Sequence, residues 1–197
     1  MQETEAVWLV RVQNGDQQAF THIVEAYQKP VYNLCYRMLN NAEDAEDAAQ
    51  ETFLRAYRSI NQFDHSRQFS TWLLSIAAHY CIDQIRKNRM TIISLEDQPN
   101  QEIPDKLPGP ESTLSKREEQ DRMRLLLEKL NPTDRAAVIM YYWYNYSYNE
   151  IAQSLSLSES AVKSRLHRAR KEMARLWISQ QNKLIPAERK RYESPVF

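Results

Sequence analysis

Apolar residues recur along this chain at the three- and four-residue spacing of helices, and short polar breaks separate the runs. Glu5 to Gln13 reads as a short helix stopped by Asn14-Gly15, with Asp16 placed to cap the next one. From Gln17 to Leu39 the positions Phe20, Ile23, Val24, Tyr27, Val31, Leu34, Cys35 and Met38 keep a helical period. Pro30 is expected to kink or break that run near Lys29. Asn41 can cap a third helix, Ala42 to about Ser59, with Ala45, Ala49, Phe53, Ala56 and Ile60 on its buried side. Its first turns carry Glu43, Asp44, Glu46 and Asp47, favourable near the positive end of the helix dipole. A polar break over 61–68 precedes a fourth helix, which starts at Phe69-Ser70-Thr71-Trp72 and runs to Arg89.

The period then lapses. Thr91 to Ser115 holds four of the eight prolines and one of the two glycines, a composition that marks a tether between domains. Helicity resumes near Lys116 and runs to Leu130, and Asn131-Pro132 restarts a helix with proline in its first turn. The expected architecture is all-α: two small helical domains on a flexible linker, the second a four-helix, winged-helix-like helix-turn-helix domain. The expected boundaries are residues 1–92 for the first domain, 93–114 for the linker, 115–178 for the second and 179–197 for a tail.

The most legible stretch is Ser147 to Leu176. Ser147 and Glu150 stand at capping-box spacing ahead of a short helix, and Ser158 is a natural N-cap for the next. In that second helix Val162, Leu166, Ala169, Met173 and Leu176 form one apolar stripe. The opposite face carries Ser160, Ser164, His167, Arg168 and Lys171, flanked by Lys163, Arg165 and Arg170. A short helix, a tight turn and a second helix with a cationic outer face make a helix-turn-helix suited to the DNA major groove. Ser156 takes the turn position often held by glycine, which a serine accommodates if its φ stays negative.

Charge sharpens this picture. The formal net charge is zero, but it is a cancellation. Residues 1–95 hold nine Lys/Arg against eleven Asp/Glu, 96–114 one against five, and 115–197 sixteen against ten. The cationic excess accompanies the helix-turn-helix, where phosphate neutralisation requires it. Arg189, Lys190 and Arg191 in the tail are better read as a frayed terminus than as a DNA contact.

Two features of the first domain stay open on pattern alone. Asp47, Gln50, Glu51, Leu54 and Arg58 fall on one line of the third helix, which fits either a solvated face or, because of Leu54, a contact surface. Phe63, Phe69, Trp72 and Tyr80 interleave with cations such as Arg86 and Lys87, which suits either core packing or stacking on unpaired bases. Cys35 and Cys81 sit in helical patterns without metal-ligand spacing and read as buried thiols. No catalytic residue, metal or cofactor is expected. With no signal segment and no apolar run approaching 18 residues, the expected compartment is the cytoplasm.

The stretches AEDAEDAAQETFLRAY (42–57), FSTWLLSIAAHYCIDQIRKNR (69–89) and YNEIAQSLSLSESAVKSRLHRARKEM (148–173) together resemble the extracytoplasmic-function group of bacterial sigma-70 factors. The resemblance runs from about residue 5 to residue 177. It implies that Asp47, Gln50, Glu51 and Leu54 bind the β′ clamp helices of core RNA polymerase, with the β flap a second polymerase contact. It implies that the loop at 62–70 captures an unpaired base of the −10 element. The helix from Trp72 through His79 to Arg86 and Lys87 would hold the melted strand, with Phe63 and Phe69 alongside. Ser160, Lys163, Ser164, His167, Arg168 and Lys171 would read the −35 element, and an anti-sigma factor is an implied partner. The rival readings are a free-standing helix-turn-helix regulator, which leaves the third-helix face and the FSTW helix without a purpose, and an enzyme, for which no phosphate loop or ligand cluster is present.

Overall fold

The computed structural model describes the backbone of residues 4–95 and 114–184, and side chains over 4–90 and 121–179. The elements are α1 (Glu5–Gln13), α2 (Gln17–Leu39), α3 (Ala42–Ser59), a 3-10 turn (Ile60–Gln62), α4 (Phe69–Leu95), α5 (Leu114–Glu128), α6 (Pro132–Trp143), α7 (Tyr148–Leu155) and α8 (Glu159–Leu184). No strand occurs among the described residues. Most of the expected tether and most of the tail lie outside the described residues, Arg189, Lys190 and Arg191 among them.

The helix starts are where their caps place them. Asp16 accepts from the amides of Gln18 and Ala19, and Asn41 from those of Glu43 and Asp44. Asn131 accepts from Thr133, with Pro132 at the first helical position. Each cap satisfies amides that the helix cannot pair internally. The caps thus set the register in which apolar stripes face one another.

Three expectations are corrected. Pro30 lies inside α2 without interrupting it. The helix loses one amide donor there, but α1, α3 and α4 all pack on α2, and that packing outweighs the missing bond. The fourth helix continues past Arg89 to Leu95, into the stretch assigned to the tether, because 90–95 contains no proline or glycine to stop it. Ser156 adopts φ 54, the left-handed conformation, where a negative angle was expected. It closes α7, its amide donating to the Ala152 carbonyl.

Two helical groups share one continuous core. In the first, α2 is central, with Ile23, Val31, Leu34, Cys35 and Met38 buried against α3 and α4. In the second, α6, α7 and α8 converge through Val138, Ile139, Ile151, Leu155, Val162 and Leu166. The groups also meet each other, α4 packing on α6 and α7, and α2 on α5 and α6. Helix α4 is therefore covered on two sides.

Candidate nucleic-acid interface

Helix α8 is set by its neighbours before it presents anything outward. The Ser147 hydroxyl and the Glu150 carboxylate close a full capping box at the start of α7. Ser158 then accepts from the Ala161 amide at 3.2 Å and caps α8. Asn149 donates to Glu159 at 3.1 Å, tying the two helices together beside the turn. Val162, Leu166 and Ala169 are buried and Met173 and Leu176 half-buried, so the apolar stripe faces inward as its spacing required. Arg165 leaves the outer row to pair with Asp134 of α6 at 2.6 Å.

What remains outward is one row. Ser160, Lys163, Ser164, His167, Arg168 and Lys171 are all exposed. Their mutual spacing places them on successive turns of one face. The Lys163 ammonium lies 5.4 Å from the centroid of the Tyr148 ring, which holds it at the α7 end of the row.

The second candidate surface is concave. Residues of α1, α2, the loop after the 3-10 turn and the start of α4 enclose a cleft of about 370 Å³, lined in part by Glu5, Leu9, Tyr27, His65, Arg67 and Gln68. The loop is pre-shaped by Asp64, whose carboxylate accepts from the Ser66 amide at 2.9 Å and lies 3.7 Å from Arg67. The Ser66 amide is the main reason that carboxyl sits below its usual range. Gln13 braces the same loop from α1, donating to the Ile60 carbonyl at 3.0 Å and meeting His65 at 2.9 Å. Tyr27 donates to Glu5 across the floor of the cleft. Burial, then the Glu5 carboxylate, pushes the Tyr27 phenol well above its usual value, so it stays a donor.

Phe63 and Phe69 line the same cleft from its buried side. They are 6% and 2% exposed, and they pack on each other and on Trp72 with centroids 5.3–5.5 Å apart. Apolar rings at a helix start gain more from the core than from solvent, so this pair forms the buried, apolar part of the cleft lining. Trp72 is half-buried beside both rings. Further along α4, His79, Arg86 and Lys87 are exposed on the helix side turned away from the core. His79 is anchored through Nδ1 to the Ser75 carbonyl at 2.8 Å, which leaves Nε2 outward.

The outer line of α3 is also where its period put it. Asp47, Gln50 and Leu54 are exposed, Leu54 at 43%, and half-buried Glu51 pairs with Arg55 at 2.7 Å. Beside that line runs an apolar cleft of about 520 Å³ between α2 and α3, bordered by Val24, Lys29, Tyr32, Ala49, Gln50 and Phe53. Only Gln50 belongs to both. Val24, Ala49 and Phe53 in its lining are positions expected on the buried stripes, because a groove between two helices is lined by the edges of those stripes.

No group of three or more His, Cys, Asp or Glu that could hold a metal occurs among the described residues. No described helix is long and apolar enough to cross a membrane.

With these surfaces in view, residues 23–91 match the model of Sigma-70 region 2, and residues 120–173 that of Sigma-70, region 4. The ECF RNA polymerase sigma factor SigW of Bacillus subtilis is 37% identical over 171 residues, covering 83% of this chain and 91% of SigW. The chain belongs to the ECF sigma factors. SigX of the same organism, another ECF sigma factor, is 30% identical over 158 residues, covering 79% of this chain and 81% of SigX. Among solved structures, CnrH in complex with the cytosolic domain of CnrY shares the fold, with a TM-score of 0.65 and 23% identity over 88% of this chain and 96% of that one. The α8 row lies within the region 4 match, and the α3 line, the loop cleft and the described face of α4 within the region 2 match, apart from the contribution of α1.

Proposed function

We propose that this ECF sigma factor works in the cytoplasm as a non-enzymatic initiation subunit that brings core RNA polymerase to promoters through two separate DNA grips. Residues 1–92 act as the polymerase- and −10-binding domain and 115–178 as the −35-binding domain, with 93–114 between them and 179–197 a tail without an assigned role. The α3 line of Asp47, Gln50, Glu51 and Leu54, with the neighbouring α2/α3 cleft, receives the β′ clamp helices, and the second domain meets the β flap. The loop cleft takes one unpaired −10 base, while Trp72, His79, Arg86 and Lys87 follow the melted strand. On α8, Ser160, Lys163, Ser164, His167, Arg168 and Lys171 read the −35 element. Holding an extruded base needs a shaped pocket and stacking at its rim, not a reactive group. An anti-sigma factor is the expected restraint.

The observation that supports this best is the α8 row, six exposed polar or cationic side chains on one face of a doubly capped helix-turn-helix. The reading is tested by run-off transcription with purified bacterial core polymerase. Promoter-specific transcripts should appear, and Gln50→Ala with Leu54→Ala should weaken polymerase binding. Absence of transcripts, together with unchanged affinity of the double variant, would overturn it.

A further inference from the structure

The loop cleft holds a group that a grip on a polyanion does not call for, the Glu5 carboxylate. Glu5 sits in the first turn of α1, where an acid favours the helix dipole whichever way its side chain turns. Here it turns inward. It is half-buried, lines the cleft beside Leu9, and accepts a hydrogen bond from the Tyr27 hydroxyl of α2. Two helices therefore hold one carboxylate at the wall of the cleft.

That bond decides what the wall offers. Burial, then the carboxylate itself, keeps the Tyr27 phenol protonated, so its one proton is committed to Glu5. A carboxylate has about four lone-pair positions, and a single phenol occupies one of them. The others accept and never donate. Among the described residues that line the cleft, Glu5 is the single carboxylate. The acid of the adjoining loop, Asp64, is engaged with the Ser66 amide and Arg67 and lies outside the lining. Leu9, Phe63 and Phe69 give the buried side no polar side-chain atom.

Such a wall repels a phosphate and suits the edge of a base. A phosphodiester brought to Glu5 meets like charge, and an apolar group there leaves the carboxylate oxygens without a donor. A nucleotide turned out of the stack presents its pairing edge. Adenine, cytosine and guanine each carry an exocyclic amine, which donates. Thymine carries none, and its ring N–H is flanked by two carbonyl oxygens that would face the carboxylate.

We propose that Glu5, aimed by Tyr27, reads the base held in the loop cleft, selecting a base with an exocyclic amine and rejecting thymine. Glu5 accepts from the amine, and Tyr27 is a positioning residue that acts through Glu5. Glu5 precedes residues 23–91, so this role belongs to α1 and not to the matched region 2. It rests on the cleft taking an unpaired −10 base, as assigned under Proposed function.

The test uses the full chain assembled with core polymerase, on a promoter template premelted over its −10 element so that pair strength drops out. Each non-template −10 base is first replaced by an abasic site, and the largest loss of affinity marks the captured position. There the four bases are compared, together with analogues lacking the amine: purine for adenine, 2-pyrimidinone for cytosine, hypoxanthine for guanine. The preferred base should carry an amine and bind about tenfold tighter than thymine, with a similar loss when the amine is deleted. Glu5→Ala should abolish the amine-deletion penalty. Tyr27→Phe, which keeps the ring and loses the hydroxyl, should cut the preference over thymine to about threefold. Glu5→Gln adds a donor that a thymine carbonyl accepts, so its preference should shrink or invert. It also repeats the comparison if Glu5→Ala melts lower. Thymine bound as well as the other bases overturns the assignment, as does an amine-deletion penalty or thymine rejection unchanged in folded Glu5→Ala and Glu5→Gln. If no −10 position responds to loss of its base, the capture role itself fails and this one with it. A responsive position with the wrong preference overturns the Glu5 reading alone.

Discussion

The two surfaces proposed to face DNA are built on opposite principles. The α8 row is convex: six exposed side chains on one helix, over a stripe buried on its other side. The loop cleft is concave and is assembled from three segments that lie far apart in sequence, Glu5 to Leu9, Tyr27, and Phe63 to Ser70. In the first, recognition is a sum of separable contacts. In the second it is a shape, and the shape depends on rings that are packed into the core at its lining. Losses on α8 should therefore be local and nearly additive, whereas losses behind the cleft should be collective.

Phe69→Ala tests the collective side most severely. The ring is 2% exposed and touches Tyr27, Phe63 and Trp72 at 5.3–5.5 Å. Its removal should destabilise the first group by about 3–5 kcal/mol and lower the thermal midpoint, with binding to unpaired −10 DNA lost in the same variant. A stable Phe69→Ala protein that had lost only strand binding would mean that the ring meets bases directly, and the contrast would fail. Arg168→Ala tests the additive side. It should cost about 1–3 kcal/mol of −35 binding with the melting temperature unchanged, and selectivity should relax at one base pair if the contact is to a base. Measured by titration across single-base variants, a loss equal for all sequences would place Arg168 on a phosphate. A loss of fold stability would show that the row is not independent of its scaffold.

The same contrast governs what the sequence made legible. Caps are local, a side chain bonding an amide two or three residues on, so Asp16, Asn41, Asn131 and Ser147 could be identified from their neighbours alone. The α8 face is also local, because a helical period determines which residues share a side. The cleft was not legible. Nothing near Tyr27 announces that its hydroxyl meets Glu5, and Phe63 and Phe69 follow a pattern that fits core and stacking surface equally well. The contact of α6 with the end of α2 was invisible for a related reason. Arg135 reads as a solvated charge in PTDRAAV, and only the arrival of the end of α2 makes it a buried bridge. Pro30 deceived in the other direction, since its local tendency to break a helix is outweighed by packing that the local sequence does not display.

The turn that joins α7 to α8 gives the smallest effects and the finest test, because it supports the convex row without belonging to it. Ser147→Ala removes an acceptor for the Glu150 amide and a donor to the Glu150 carboxylate, and should cost about 1 kcal/mol in thermal or denaturant unfolding of the second group. Ser156→Gly should act oppositely. At φ 54 a serine bears about 1–2 kcal/mol of strain that glycine lacks, whereas glycine gives up about 0.5–1 kcal/mol in backbone entropy, so a net gain of about 0.5–1 kcal/mol is expected. If α8 recognition is truly additive, that variant should melt higher and bind −35 DNA unchanged. A change in −35 affinity would mean that the angle at Ser156 sets how α8 meets the groove, and the row would then share the collective character of the cleft.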